Sequence, residues 1–453
     1  MPLPTPRRMS WIACLPEFAA GRDTPEAFLD RCLANLETFE PQVGAFVHIE
    51  IAAARAQAQA ATARWRAGAP LSRIDGMPVG IKDLIETADM PTQCGSPVYE
   101  GWRSERDAAS VLALRQAGAV ILGKTVTTEF AAKVPRGTRN PWDPARTPGG
   151  SSSGSAAAVG CGMLPVALGT QVIGSLLRPA SYCGAYAFKP TFGAINRGGS
   201  HDALSQSAHG PIAATLADAW VTAREIADRA GGDPGYPGLL GPAELPAVRR
   251  PACVAVIETP GWKVADAAAR ALFEQAVAKL AADGVKVINR ANHRGVALLE
   301  TMLERAGYVS HALVNYESVW PLNAYRARDP GKLSGFLRDR LVEAEKMTPA
   351  EYRALLTERT AARAAHAALA GDCDALLTLC ATGVAPLGIE ATGDTVFNIP
   401  ASYLGAPALN LPAFMLDGLP LGLQAIGPVD GDAGLFSVAG WIDAALASGV
   451  PGA

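Results

Sequence analysis

The feature that most constrains the fold is an alternation of short apolar runs with helical segments, which begins near residue 70. Apolar runs at 77–82, 119–122 and 164–168 have the length of buried strands, whereas 107–116 has the period of a helix. Strands separated by helices are typical of proteins with a largely parallel sheet. We therefore predict an α/β fold.

By pattern, the chain divides into an N-terminal helical segment, a strand-rich core, and a C-terminal part of the same fold that contains a helical cover. The expected bounds are 1–70, 71–230 and 231–453, with the cover at about 296–370. Thr24-Pro25 predicts a helix start, because an N-cap residue is followed by proline at the first helical position. The turn-forming run at 231–238 predicts the main internal boundary.

Charge and cysteine usage exclude several classes of protein. The formal net charge is −3 and no block of five like charges occurs, so nucleic acid and acidic membrane surfaces are not expected partners. No run reaches the roughly 18 apolar residues that a membrane span needs. The eight cysteines occur singly, without the spacing of a zinc site. We expect reduced thiols and a cytoplasmic location.

Two sequence matches are misleading. The segment 118–125 fits the phosphate-loop pattern, but its four inner residues form an apolar run that favours a strand over a turning anion site. The segment 150–154 fits the nucleophile elbow of α/β-hydrolases, which must follow a buried strand. The proline-rich stretch 141–149 precedes it, and a central strand does not tolerate such a stretch. Neither nucleotide binding nor that elbow is expected.

Lys82 stands at the end of an apolar strand pattern, which is unusual for a charged residue. It can emerge into solvent there or pair with Asp83. If it is buried, its ammonium loses solvation, its pKa falls, and the amine can act as a general base near neutral pH. The residues alone leave both possibilities open.

Two glycine- and serine-rich segments follow. The loop 147–155 precedes an apolar helix pattern, and it is either a flexible linker or the position of an anion-binding nest. The turn 169–179 comes directly after a predicted strand. Functional groups in α/β sheets collect beyond the carboxyl ends of strands, so Ser175 is placed where a nucleophile can be presented beside free N–H groups. A tight polar turn is the alternative.

The lysine, the Gly/Ser loop and the Gly-Ser turn, in this order, resemble the amidase signature family. The similarity runs nearly without gaps from about 74 to 211 and resumes at 397–405 and 418–427. Its most specific motifs lie at 80–85, 148–154, 174–175 and 178–181. The resemblance implies one large mixed, mostly parallel β-sheet that is covered by helices on both faces.

The resemblance also implies a Ser-Ser-Lys triad. In it Ser175 is the nucleophile, Ser151, on a cis peptide in the family, relays the proton, and Lys82 is the base. No metal or organic cofactor is required. The oxyanion is then held by backbone N–H groups, namely those of Val172, Ile173, Gly174 and Ser175.

The sequence departs from the family pattern in two places. Ile173 stands where the family usually has glycine, and a β-branched residue does not easily adopt a positive φ. The family also tends to have Ser-Leu-Asp before a Gly-Pro pair, where this chain has Ser205-Gln206-Ser207. The usual turn geometry and the usual acceptor contacts are therefore both expected to differ here.

The implied reaction is hydrolysis of the C–N bond of a small or hydrophobic amide through an acyl-enzyme. The alternatives are a carbamate (urethane) hydrolase, an aryl acylamidase or esterase, a glutamine amidotransferase subunit, and an inactive homologue. The expected partner is a small-molecule amide or carbamate, bound by a monomer or a homodimer. Substrate contacts are expected from the helical cover and from four further residues, Gln171, Arg178, Ala131 and Phe414.

Overall fold

The computed structural model describes residues 3–447, which form a single sheet of eleven strands. The strands are β1 (Phe46–Ile49), β2 (Pro78–Lys82), β3 (Val120–Thr125), β4 (Val166–Gln171), β5 (Tyr186–Lys189), β6 (Ala208–Ala213), β7 (Cys253–Val256), β8 (Lys286–Ile288), β9 (Ala375–Leu379), β10 (Ala408–Leu416) and β11 (Leu419–Ile426). Their order across the sheet is β1-β3-β2-β4-β6-β5-β10-β11-β9-β7-β8. The predicted α/β fold with one large sheet is confirmed.

The sheet is mixed, as predicted, and its parallel pairs form two groups. Within residues 3–447, β2 pairs in parallel with β3 and β4, and β7 pairs in parallel with β8 and β9. The other pairings are antiparallel. Parallel pairs are thus fewer than the expectation of a mostly parallel sheet, because the β10–β11 hairpin and strands β5 and β6 separate the two parallel groups.

Helices surround this sheet. They are α1 (Leu15–Ala19), α2 (Pro25–Val43), α3 (Ile51–Arg66), α4 (Ala109–Gln116), α5 (Ser153–Gly160), α6 (Leu177–Cys183), α7 (Leu216–Ala230), α8 (Ala267–Ala282), α9 (Arg294–Leu303), α10 (Ala306–Glu317), α11 (Val319–Arg328), α12 (Gly335–Ala344), α13 (Pro349–Ala367), α14 (Ile399–Leu404) and α15 (Asp432–Ala447). Helix α2 begins where predicted, because the Thr24 hydroxyl accepts a hydrogen bond from the Ala27 N–H at 3.1 Å.

The two faces of the sheet bury two separate apolar cores. In β4, Val166 and Leu168 belong to one core and Ala167 belongs to the other, since successive side chains of a strand point to opposite faces. Helices α4, α7, α8 and α15 pack on the first core, whereas α5, α9, α10 and α13 pack on the second. Helices therefore cover both faces, as predicted.

The helical cover expected at about 296–370 corresponds to α9 through α13. Its outer helices, α11 and α12, have a small apolar cluster of their own. In this cluster Leu322 and Leu337 pack with Val98 and Ala132, which lie in the connections that follow β2 and β3. The cover is thus held against those loops by apolar contacts.

The turn-forming run at 231–238 connects α7 to the segment before β7. Strands from both sides of it join one sheet, since β5 pairs with β10. The domain bounds near 70 and 230 stay predictions. Within the described part of the chain, no helix combines the length and apolar character that crossing a membrane requires.

Candidate active site

The candidate site lies at one edge of the sheet, where the carboxyl ends of neighbouring parallel strands meet. Lys82 is the last residue of β2, and Gln171 is the last residue of β4. The two strands pair in parallel, with Ile81 opposite Leu168. Both strands therefore end at the edge where α/β proteins collect functional groups.

Lys82 is buried at this edge and has no exposed surface. Its Nζ donates hydrogen bonds to the Ser151 Oγ and the Thr170 Oγ1, both at 2.7 Å. Burial lowers the pKa of Lys82 to about 7, and the Asp202 carboxylate partly opposes this shift. A substantial fraction of the amine is therefore neutral near pH 7, as a general base requires.

The other residue considered as a partner of Lys82, Asp83, is engaged elsewhere. Its carboxylate lies 3.8 Å from the Nζ of Lys124. Lys124 also donates to the Ile85 carbonyl and the Thr92 hydroxyl, both at 2.7 Å. The lysine of the apparent phosphate loop is thus fixed inside the protein, and the apolar run before it forms β3, as predicted.

Ser151 lies on the loop that leads into α5. The Gly150-Ser151 peptide bond is cis. The next two serines direct their hydroxyls to backbone carbonyls, Ser152 to that of Thr170 and Ser153 to that of Val126, each at 3.2 Å. Of the three consecutive serines, Ser151 is therefore the one whose hydroxyl meets Lys82. The stretch 141–149 before this loop is irregular, as predicted.

Arg178 fixes the loop that carries Ser151 by hydrogen bonds to its backbone. Its Nη2 donates to the Gly150 carbonyl at 2.6 Å, and its Nε donates to the Thr392 carbonyl at 2.7 Å. The side chain lines the cavity described below but is only 2% exposed. Its first contribution is therefore to hold the backbone at position 150.

Residues 172–175 form a turn after β4 whose N–H groups are free. Among the residues that the structure describes, none of these four N–H groups donates a hydrogen bond. The carbonyls of Val172 and Ile173 accept from the Gln206 Nε2 at 3.1 Å and the Ser402 Oγ at 2.9 Å. Hydrogen bonds to these carbonyls hold the turn in place and leave its adjacent N–H groups without acceptors. Such preorganised donors are suited to hold an oxyanion.

Gln171 supports the far end of this turn. Its Oε1 accepts from the N–H groups of Leu176 and Leu177 at 3.0 and 3.1 Å, and its Nε2 donates to the Ser402 Oγ at 3.0 Å. It is fully buried and is not among the residues that line the cavity. The structure therefore places Gln171 behind the turn, where it orders the backbone, and its expected contact with a substrate stays a prediction.

The turn accommodates Ile173 without a left-handed residue. Neither Ile173 nor Gly174 has a positive φ, so the departure from glycine causes no backbone conflict. Gly174 is required for a different reason, which is space. A Cβ at this position would lie 2.7 Å from the Asn398 Oδ1 and 3.1 Å from the Arg178 Nη1.

Ser175 ends the turn, half-buried and facing the cavity. Its carbonyl accepts from the Ser152 N–H at 3.2 Å, which ties the turn to the serine loop. In the described part of the chain no hydrogen bond joins Ser151 to Ser175. Catalytic hydrogen bonds commonly become short only when a substrate is bound. The structure thus joins Lys82 to Ser151 and places Ser175 on the same cavity.

The cavity has a volume of about 490 Å³ and opens between the sheet edge and the helical cover. Both Ser151 and Ser175 line it. More of its wall is apolar than polar, and the apolar lining residues include Phe130, Ala132, Val314, Leu322, Tyr325 and Leu337. This composition suits a ligand that is small or hydrophobic.

Polar side chains of the cover occupy another part of the wall. Arg340 donates to the Asn315 Oδ1 at 2.8 Å and to the Ser318 Oγ at 3.3 Å, and within residues 3–447 it forms no ion pair. Burial lowers the pKa of Arg340 to about 10. Burial likewise lowers the pKa of His311 to about 4, so this imidazole is neutral at pH 7.

The other expected substrate residues divide between the cavity and the core. Ala131 and Arg178 line the cavity. Phe414 lies in an apolar core at β10, is 2% exposed, and is not among the lining residues. Phe414 belongs to β10, and its side chain is part of the apolar core on the face of the sheet that α8 and α15 cover. Among the described residues, no cluster of three metal-ligating side chains occurs.

Sequence reasoning missed Asp202, which lines the cavity and is 5% exposed. Its carboxylate accepts from the Ser200 Oγ at 2.7 Å. In the nearby segment 205–207, the Ser207 hydroxyl accepts a hydrogen bond from the Arg197 Nη1 at 2.6 Å. No sequence motif contains Asp202. The one available signal was its position shortly before the residues that form β6.

Comparison with known proteins assigns the chain to a class of enzymes that act on amides. The family model described as Amidase matches residues 27–436. A glutamyl-tRNA(Gln) amidotransferase subunit from Chloroflexus aggregans (strain MD-66 / DSM 9485) is 32% identical over 473 aligned residues, which cover 93% of both chains. The chain therefore belongs to the amidase signature family.

Solved structures are similar over nearly the whole chain. A crystal structure of an amidase has a TM-score of 0.83 and 27% sequence identity, and the similarity covers 96% of this chain and 99% of that one. The corresponding glutamyl-tRNA(Gln) amidotransferase subunit from Thermotoga maritima has a TM-score of 0.74 and 25% identity, with 98% and 95% covered.

Proposed function

We propose that this protein is a serine-dependent amidohydrolase, which cleaves the C–N bond of a small or hydrophobic amide through an acyl-enzyme on Ser175. The observation that carries this proposal is the contact between the buried Lys82 amine and the Ser151 hydroxyl, 2.7 Å apart, beside a turn with four free N–H groups. Buried amine, relay hydroxyl and oxyanion donors are the parts that acyl transfer needs.

The reaction begins with transfer of two protons. The neutral amine of Lys82 takes the Ser151 proton while the Ser151 Oγ takes the proton of Ser175. The Ser175 Oγ then attacks the carbonyl carbon, and the carbonyl oxygen becomes an oxyanion. Burial of Lys82 supports this step, because it makes the amine neutral near pH 7.

Collapse of the tetrahedral intermediate breaks the C–N bond. The proton returns from Lys82 through Ser151 to the leaving nitrogen, so the amine departs neutral and the acyl group stays on Ser175. Water, deprotonated through the same pair, attacks the ester and releases the acid. The free N–H groups of the turn stabilise both tetrahedral intermediates, and one such donor is typically worth about 10²–10³ in rate.

A Ser175→Ala variant tests the assignment. With an anilide substrate we expect kcat to fall by a factor on the order of 10⁴ or more, because the nucleophile is lost. Ser437→Ala is a matched control, since among residues 3–447 the Ser437 hydroxyl donates to the Ala433 carbonyl of its own helix and to no other group. Full activity of the Ser175→Ala protein would refute the proposal, as would failure of a sulfonyl fluoride to label Ser175.

The same chemistry extends to related bonds. A carbamate substrate would give an alkoxycarbonyl-enzyme or carbamoyl-enzyme and release CO₂, an amine and an alcohol, and an aryl ester would give the ordinary acyl-enzyme. A panel of matched anilides, carbamates and esters, compared by kcat/KM, distinguishes an amidase from a urethanase or an esterase. We further propose that the protein acts in the cytoplasm as a monomer or homodimer and needs no cofactor. Light scattering and activity after chelation test the last two points.

A second candidate is a role as one chain of a glutamine amidotransferase, because the Chloroflexus relative is named as part of a glutamyl-tRNA(Gln) amidotransferase. The amidohydrolase is preferred because the TM-score is 0.83 with the amidase and 0.74 with the Thermotoga protein. Glutamine hydrolysis that appears only with co-purifying partner chains would favour the second candidate. Amide hydrolysis by the isolated chain would favour the first.

A further inference from the structure

We propose that Asp202 is a positioning residue for the reaction: its buried carboxylate is the counter-ion that stabilises Lys82 when the amine takes up the serine proton. This inference rests on the proposed function. Asp202 lines the same cavity as Ser151 and Ser175 but lies outside every motif that pointed to the site.

The carboxylate is buried with one oxygen uncompensated. Asp202 is 5% exposed, and its Oδ1 accepts from the Ser200 Oγ at 2.7 Å. Its Oδ2 is buried without a hydrogen-bond partner among the described residues. A buried carboxylate in this state costs free energy unless a nearby positive charge offsets it.

The position of Asp202 connects it with the end of β4. It precedes β6, in which His209 stands opposite Thr170 of β4. Thr170 accepts the hydrogen bond from Lys82 at 2.7 Å. Lys82 and Thr170 both act to lower the pKa of Asp202, so the carboxylate lies within electrostatic reach of the amine and the threonine hydroxyl.

Lys82 is the cation that remains available to Asp202. Lys82 and His209 are the two cationic groups that act on its carboxylate. Burial lowers the pKa of His209 to about 4, so this ring is neutral at pH 7. Arg197, which acts on His209, is paired with Asp233 at 2.5 Å. The charge of Lys82 is therefore the one that can compensate Asp202.

The remaining titratable groups around Asp202 do not replace Lys82. Burial lowers the pKa of His201, which lies 3.7 Å from the Glu86 carboxylate. Burial raises the pKa values of Cys94 and Tyr325, so both are neutral. Burial alone would raise the pKa of Asp202, but its partners, Lys82 first, hold it below its usual value. The pKa of this carboxyl therefore lies below its usual value, and the carboxylate is ionised at neutral pH while Lys82 carries its proton.

The catalytic consequence concerns charge, and no bond to Asp202 forms or breaks. When Lys82 removes the Ser151 proton, an ammonium appears on a fully buried side chain. A fixed carboxylate nearby stabilises that ammonium in the transition state and in the intermediate. Without it, Lys82 becomes a weaker base, and its proton dissociates at lower pH.

The test is the pH dependence of kcat/KM for an Asp202→Asn protein, which keeps the shape and removes the charge. On the acid side of the profile, kcat/KM rises as Lys82 loses its proton. In the Asp202→Asn protein we expect this rise, the acid limb, to move to lower pH by roughly one unit. The constant kcat/KM at higher pH, the plateau, should fall about tenfold. Asp202→Glu, which keeps the charge, should leave the limb near that of the unchanged protein. If Asp202→Asn does not fold, Asp202→Ser removes the same charge.

A residue that only orders the 200–207 loop would lower kcat without moving the limb. An unmoved limb, or one displaced to higher pH, in a folded Asp202→Asn or Asp202→Ser protein would therefore overturn the proposal. The outcome is separable from the proposed function, which is tested by the Ser175→Ala protein and by sulfonyl fluoride labelling of Ser175. If Ser175→Ala is inactive and the limb does not move, the triad stands and the role of Asp202 does not.

Discussion

The Lys82 amine and the Ser151 hydroxyl lie 2.7 Å apart, although 69 residues separate them in the chain. The contact depends on two structural elements, the end of β2 and the cis loop that enters α5. The loop is in turn fixed by Arg178, which donates to the Gly150 carbonyl at 2.6 Å. The contact and the turn beside it can be tested by substitution and by the pH dependence of the rate.

The pH dependence of the reaction should follow Lys82. The amine acts only in its neutral form, and burial lowers its pKa to about 7. We therefore expect kcat/KM on a non-ionising amide to rise as pH increases through about 7 and then to level off. A rate profile from pH 5 to 9 measures this. A rate that is flat or falls through pH 7 would contradict a lysine base.

Replacing Lys82 should remove activity and change how the free energy of unfolding depends on pH. The folded-state pKa of about 7 lies below the ordinary value of 10.5, so between these values the unfolded chain binds a proton that the folded chain does not. The lysine therefore destabilises the fold most at low pH, and this cost decreases as pH rises from about 7 to about 10.

A Lys82→Met protein lacks this term. We expect the midpoint of urea unfolding of the unchanged protein to rise relative to that of the Lys82→Met protein between pH 6 and pH 9. The comparison isolates Lys82 from the buried Lys189, which titrates in both proteins. An advantage of the methionine variant that increases with pH would show that Lys82 is not buried as described.

Loss of Gln171 should impair the turn more than the fold. Gln171→Ala removes the acceptor of two N–H groups beyond Ser175, so the free donors lose their support, and we expect kcat to fall about ten- to hundredfold. The expected loss of stability is about 1–3 kcal/mol. Gln424→Ala is a control of equal chemistry, because Gln424 is a buried strand residue that donates to the Phe397 carbonyl at 2.7 Å. Its kcat should be retained.

Substitution should have little effect on kcat at Ile173 and a large effect at Gly174. Ile173→Gly is expected to keep kcat within about threefold and to lose roughly 0.5–1 kcal/mol of stability through backbone entropy, because the turn needs no positive φ there. Gly174→Ala should lose most activity, because the new Cβ would lie 2.7 Å from the Asn398 Oδ1. Activity assays and urea unfolding of both proteins provide the test. A large gain of activity in Ile173→Gly would show that isoleucine distorts the turn.

Much of the fold was predictable because its signals are local. The capping of α2 by Thr24 and the apolar run that becomes β3 follow from residues that are neighbours in the chain. The strand pairings did not follow, since β5 and β10 are more than 200 residues apart and no local pattern states their direction. For the same reason the site motifs could be located, whereas the places of Gln171, Phe414 and Asp202 could not.

The sequence by itself determined which residue types are present at the ends of β2 and β4, and it indicated that Ser175 follows a strand. The tertiary structure decided the chemistry of those residues. It removed Lys82 from water, which lowers its pKa to about 7, and it brought Ser151 into contact with the amine and Asp202 within electrostatic reach of it. Burial and the distance between charges set a pKa, and both quantities exist only once distant segments have packed together.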